Sequence, residues 1–234
     1  MNSQIERMAR EFFGFGRWEA PYWFIGPEQG GNDNPKRAAA FIALQERKST
    51  PDGLCDCKEF HRKIDECRWH FKQPLELQWT WKRLMLLLMA YLREPCDDGS
   101  LRRYQRDSWG ADKGETCVIE LSGLSFKSLR ESGKFHAGSD EIEALHKIRE
   151  NRVKAIEEKL KTVGKEPELV VVYGYSHEKF WKQIIEIDLP RDSVKKHGKT
   201  VFVFGPHPAA YGKHIDNSDE TWRELGQYAR ELMQ

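Results

Sequence analysis

A chain of 234 residues with 39% hydrophobic and 32% charged content carries enough apolar material for one sizeable core. Its formal net charge of +1 gives no global pull toward polyanions, and no run approaches the roughly 20 apolar residues of a membrane span. Five cysteines, an odd number, argue against a disulfide framework, and the opening MNSQIERMAREFF lacks a signal peptide's apolar centre; a single-domain cytoplasmic protein with no membrane association is expected.

Tyr22-Trp23-Phe24-Ile25 is an aromatic and aliphatic run that stops at Gly26-Pro27, which predicts a buried strand followed by a nearly bare loop holding one acid, Glu28. Arg47 to Pro74 is polar and turn-rich at Ser49-Thr50-Pro51-Asp52-Gly53, and reads as an insertion at about 47–74. Trp79 to Leu92 reads as a core helix whose methionines and aromatics serve packing. Thr116 to Leu121 is a second predicted strand. From Asp140 to Val163, the residues Ile142, Leu145, Ile148, Val153, Ile156 and Leu160 recur at helical spacing, and Gly164 and Pro167 close the helix. Leu169 to Tyr173 and Thr200 to Phe204 complete the strands. This alternation predicts an α/β fold, a three-layer α/β/α arrangement around a central, mostly parallel four-stranded sheet. Ligands of such sheets bind beyond the carboxyl ends of the strands, which singles out the loops beginning at Gly26, Glu120, Gly174 and Gly205. The basic clusters within Lys58 to Lys72, Leu101 to Arg106 and Lys195 to Lys199 read as solvated faces or, joined together, as a stripe for a polyanion.

Two of those loops carry reactive side chains: Gly26-Pro27-Glu28-Gln29-Gly30-Gly31 and Gly205-Pro206-His207-Pro208-Ala209-Ala210-Tyr211. Together with the central VIELSGLSF and LVVVYGYSHEKFW, they resemble, in order and spacing over most of the chain, the uracil-DNA glycosylase superfamily, with its GQDPY- or GEAPG-type first motif and HPSP-type last motif. The resemblance implies a uracil-DNA glycosylase-like fold. It also implies a monofunctional DNA glycosylase that flips a damaged or modified pyrimidine, hydrolyses its N-glycosidic bond and leaves an abasic site. Breaking that bond builds positive charge on the sugar and negative charge on the departing base, so the site needs a carboxylate near one and donors near the other. By the resemblance, Glu28 positions or activates water and a neutral His207 stabilises the leaving base; the alternative for His207 is ordering its own turn. The first motif has no lysine to form a Schiff base, which disfavours lyase chemistry.

Further roles follow by the same resemblance. Gly30 stands where relatives place a tyrosine that blocks C5 substituents, leaving room for a large C5 group. Glu120, or Ser122 if the register slips, stands near an asparagine that reads the base edge; an ionised glutamate accepts but cannot donate, which suits cytosine's amino group better than uracil. These two features point toward a 5-substituted cytosine such as bacteriophages place in their DNA, with uracil as the other candidate; Glu120 could equally pair with a basic neighbour. Tyr211 stands where relatives insert a leucine into the duplex. Phe41 matches the spacing of a base-stacking phenylalanine but also sits on an apolar helix face with Ala38 and Leu44. The backbone at Gly31 and after Pro208, with Ser176 and His177, offers contacts to DNA phosphates. No cofactor is expected. Cys55, Cys57, His61, Cys67 and His70 have the residue types of a zinc site, but the C-x-C spacing favours a metal-free segment.

The expected partner is DNA, duplex or single-stranded, bound by a monomer. Two other readings stay open: a module that binds modified DNA without cutting it, and a hydrolase of small nucleosides. The chain has no phosphate-cradling Gly-x-x-x-x-Gly-Lys loop and no Gly-x-Ser-x-Gly elbow.

Overall fold

The computed structural model describes residues 3–28, 30–31, 34–65, 70–125, 139–210 and 216–234. Along the chain run α1 (Ser3–Glu11), β1 (Gly14–Phe15), β2 (Tyr22–Gly26), α2 (Asn34–Gln45), β3 (Leu54–Cys55), α3 (Cys57–Lys63), α4 (Trp79–Leu92) and α5 (Asp98–Asp107). They are followed by β4 (Thr116–Glu120), α6 (Ser139–Thr162), β5 (Leu169–Tyr173), a 3-10 turn (Tyr175–His177), α7 (Glu178–Ile185), β6 (Ser193–His197), β7 (Thr200–Gly205) and α8 (Asp219–Glu231).

The sheet is α/β in class but larger than the four strands expected. Among the described residues seven strands run in the order β3-β1-β4-β2-β5-β7-β6. The four predicted strands form its parallel centre, β4-β2-β5-β7. On one side β1 pairs antiparallel with β4 and parallel with β3; on the other β6 pairs antiparallel with β7, so the sheet is mixed. The added strands escape periodicity for physical reasons. β1 and β3 are two residues each, too short to show alternation. β6 is Ser-Val-Lys-Lys-His and largely exposed, as suits an edge that lysines keep from pairing with other chains.

The central strands are apolar throughout because both faces are covered. Trp23 and Ile25, with Cys117, Ile119, Val170 and Val172, pack under α6 and α7 through Val153, Ile156, Trp181 and Ile184. Tyr22, Phe24, Val118, Val171 and Val203 face the opposite layer, where α2, α3, α4, α5 and α8 contribute residues such as Phe41, Phe60, Leu84, Leu101 and Trp222. Within the segment 47–74, Leu54 and Cys55 join the sheet beside β1, and Phe60 stacks on Phe12 at 5.3 Å. Asp56, Gln78, Asp97 and Ser218 each start a helix by accepting a backbone N–H with the side chain.

The strand order fixes where a ligand can enter. From β2 the chain passes to β4 on one side and later crosses to β5 on the other, so the connections diverge between β2 and β5. Loops leaving adjacent strands in opposite directions open a crevice at their carboxyl ends. Among the described residues no helix is long and apolar enough to cross a membrane.

Candidate active site

The crevice is built from the last residues of the parallel strands. Register pairs Gly26 with Glu120 and Tyr173 with Gly205. Pairing of β2 with β4 continues into the loops, where Leu121 N–H donates to the Gly26 carbonyl at 2.8 Å and Ser122 N–H to the Pro27 carbonyl at 2.9 Å. The two glycines are spaces for their neighbours' side chains. A Cβ on Gly26 would overlap the Tyr173 phenol, and one on Gly205 would stand 3.0 Å from the Trp222 indole. Tyr173 therefore leans across β2, and its ring meets His207 edge-on with centroids 5.7 Å apart.

Glu28 follows Gly26 by two residues and is half-buried, with Oε2 enclosed and lacking a hydrogen-bond partner among the described residues. Burial pushes its carboxyl above the usual range, opposed by the charge of Arg149 on α6. Glu120 is only 4% exposed, and its Oε2 also lacks a partner. Burial, and then the neighbouring Glu28 charge, push Glu120 up to about 8, against the pull of Arg152 and Arg37. Arg152 directs its hydrogen bonds elsewhere, to the backbone carbonyls of Glu120 at 2.6 Å, Leu121 at 2.9 Å, Arg10 at 3.3 Å and Ala9 at 3.4 Å. At neutral pH Glu120 is chiefly the protonated acid, with one donor and acceptor capacity together. A neutral carboxyl can both donate to and accept from a base edge, whereas the preference for cytosine over uracil takes Glu120 as ionised.

His207 orders its own turn, the alternative considered for it. Its Nδ1 accepts the Ala209 N–H at 3.1 Å, which orders the turn and assigns the ring proton to Nε2. Burial lowers its pKa to about 4, so the ring is neutral and Nε2–H is a donor. The loop is braced by Asn217, whose Nδ2 donates to the carbonyls of His207, Pro208 and Ala210 at 3.1, 3.0 and 2.8 Å, while its Oδ1 accepts from Trp222 Nε1 at 2.8 Å. Arg83 of α4 also donates to the Pro208 carbonyl.

The remaining expected residues fall in different places. Gly30 is exposed, with open space where a side chain would stand. Gly31 has φ +118 and lies against the Arg37 guanidinium. The Ser122 hydroxyl accepts the Leu124 N–H at 3.3 Å and so shapes its own turn. Ser176 is exposed with Oγ 3.0 Å from Nδ1 of His177, which is buried and pushed down to about 4 by burial and then by the charge of Arg149. Pro208 is buried within the braced loop. Phe41 does not stack on a base: its ring is fully buried and meets Phe12 edge-on at 5.4 Å, because α2 turns that side chain into the core. Tyr211 and Cys67 lie outside the described residues. His61 is buried and its Nδ1 donates to the Cys57 carbonyl at 2.7 Å, which occupies that nitrogen. Cys55 is buried and His70 lies 6.1 Å from His61 between ring centroids; among the described residues no three His, Cys, Asp or Glu gather as a metal site.

No protein-family model, curated protein or solved structure matches the chain. The likeness to the glycosylase superfamily accordingly stands on the chain's own motifs.

Sequence reasoning missed Tyr173, Arg149, Arg152 and Asn217. Arg152 did leave a signal, since it lies four residues from both Ile148 and Ile156 on an otherwise apolar helical stripe. Trp79, 68% exposed, was absorbed into the core helix. It sits at the site end of α4: Tyr91 at the other end meets Tyr22 at the start of β2, ring centroids 6.0 Å apart, and Arg83, one turn from Trp79, reaches Pro208.

Proposed function

We propose that this protein is a monofunctional DNA glycosylase of the uracil-DNA glycosylase type, acting on a damaged or modified pyrimidine. The observation that carries the reading is the pairing of an acid and a neutral histidine at one crevice: Glu28 with an enclosed, unpartnered oxygen after β2, and His207 with its proton on Nε2 after β7. Hydrolysis of an N-glycosidic bond asks for both. A carboxylate beside C1′ accepts a proton from the attacking water and steadies positive charge on the sugar. A neutral N–H donor aimed at the departing base stabilises the negative charge there without first losing a proton.

The bare first loop suits a nucleotide held close to the main chain, and open space at Gly30 suits a base with a substituent at C5. Bacteriophage DNA carries such bases, and removing them would mark foreign DNA for breakdown. The exposed Ser176 and the braced backbone after Pro208 would supply contacts to the phosphates of the bound strand. An excision assay tests the reading: matched DNAs carrying uracil, 5-hydroxymethyluracil, 5-hydroxymethylcytosine or glucosylated cytosine, scored for abasic sites and for released base by mass spectrometry. Release from at least one supports it; DNA binding with no release from any points instead to a non-cutting module.

A further inference from the structure

The site holds a second buried acid next to the first. Gly26 and Glu120 are paired in register on neighbouring strands, and Glu28 follows Gly26 by two residues, near enough for its charge to act on Glu120. Each has an enclosed Oε2 with no hydrogen-bond partner among the described residues, and Glu120 is almost wholly removed from solvent. Among the described residues no salt bridge joins Glu28 or Glu120 to a basic side chain. Arg152 is committed to four backbone carbonyls. Arg37 from α2 and Arg149 from α6 act on Glu120 and Glu28 respectively, while Cys57 of α3 and Tyr173 of β5 also feel Glu120. Two adjacent carboxyl groups in such surroundings do not both ionise readily, and the more deeply buried one keeps the proton.

We propose that Glu120 is the general acid of the reaction: it protonates the departing base while Glu28 takes a proton from the attacking water. This rests on the glycosylase reading above and extends it. The step balances. The water oxygen bonds to C1′, the C1′–N bond breaks with its electron pair going to the base, one water proton passes to Glu28, and the Glu120 proton passes to the base. Transfer of a proton from Glu28 back to Glu120 restores the pair, and the net change is addition of one water across the bond. An acid of this kind has the greatest value for an aminopyrimidine, because cytosine's amino group feeds electrons into the ring and makes its anion a poorer leaving group than uracil's. Burial agrees, since it holds Glu120 in the protonated form that an acid requires at neutral pH.

The test compares 5-hydroxymethylcytosine with 5-hydroxymethyluracil in one sequence, so that only the leaving group differs, under single-turnover conditions across pH. Glu120→Gln keeps shape and a donor but has no proton to give. It should lose about 10²- to 10⁴-fold on the cytosine substrate and at most about tenfold on the uracil one. The alkaline fall of the wild-type profile should vanish, while the acid limb, set by Glu28, should stay in place because Glu120 is uncharged there. Equal losses on both bases, or an unchanged profile, would overturn the assignment. Should the variant not fold, the wild-type rates decide: similar rates on the two bases support acid catalysis, and a rate on the uracil base greater by orders of magnitude contradicts it. Absence of release from every DNA would sink the glycosylase reading itself, an outcome separate from these.

Discussion

The phenol of Tyr173 lies across Gly26, in the volume a side chain on that glycine would fill. One substitution thus links the sheet's packing to the crevice. Gly26→Ala should lower stability by about 1–3 kcal/mol through overpacking, and displace Tyr173 and with it His207. Denaturant unfolding and excision rate should both fall; an unchanged unfolding midpoint would mean that Tyr173 has room to move aside.

Asn217 offers a way to disturb His207 without touching it. Replacing Asn217 by Ala removes the donor shared by three carbonyls and the acceptor for the Trp222 indole, a loss of about 1–3 kcal/mol where buried groups stay unmet. Asn217→Asp keeps the acceptor but sets a carboxylate against the same carbonyls. Both variants should cut the excision rate more than DNA affinity, because the braced turn holds the Nε2–H donor in place. A loss confined to affinity would contradict that role.

Glu120 predicts an unusual pH dependence of stability. Its folded pKa lies above the unfolded value, so between the ordinary carboxyl range and about 8 the folded state holds a proton that the unfolded chain has released. Its contribution to stability is thus fully present below the unfolded pKa and declines as pH rises, by at most about 1.4 kcal/mol per pH unit, ceasing to change above the folded value. Glu120→Gln should melt higher than wild type at pH 8, with the gap closing toward pH 4.5. His207 works in the opposite window: its depressed pKa costs stability as pH falls from its ordinary value near 6.5 toward 4. A constant gap between the two proteins would show that Glu120 ionises freely in the fold.

The parallel centre of the sheet and the long helices were legible because they are long enough to show a period. Trp79–Leu92 and Leu169–Tyr173 coincide with their predicted limits, and α6 lies within one residue at each end. The flanking strands were not legible: β1 and β3 are too short, and β6 has the polar composition of an exposed edge. At the site, Glu28 and His207 stood out through the loops that follow their strands. Tyr173 did not, since a tyrosine ending an apolar strand reads as core, and only the register with Gly26 and Gly205 places it in the crevice. The protonation of Glu120 was equally hidden, because it depends on burial and on a neighbour far away in sequence.

Under the proposed glycosylase function, Trp79 bears on which form of DNA would be engaged. An exposed indole at the crevice end of α4 can stack on an unpaired base but not on one inside a duplex. Trp79→Ala should weaken binding of single-stranded DNA by about 1–3 kcal/mol, with a smaller effect on duplex. Quenching of tryptophan fluorescence on titration with a single strand, lost in the variant, would identify the contact; equal losses on both forms would remove it.

The central claim is that Glu28 directs hydrolysis of a base–sugar bond. Its most direct test is single-turnover excision by wild type and Glu28→Gln on the DNA that wild type cleaves, with folding and DNA affinity measured alongside. Wild type should give an abasic site and free base, and the variant should lose at least about 10²-fold with fold and affinity retained. Excision at the wild-type rate by Glu28→Gln would contradict it.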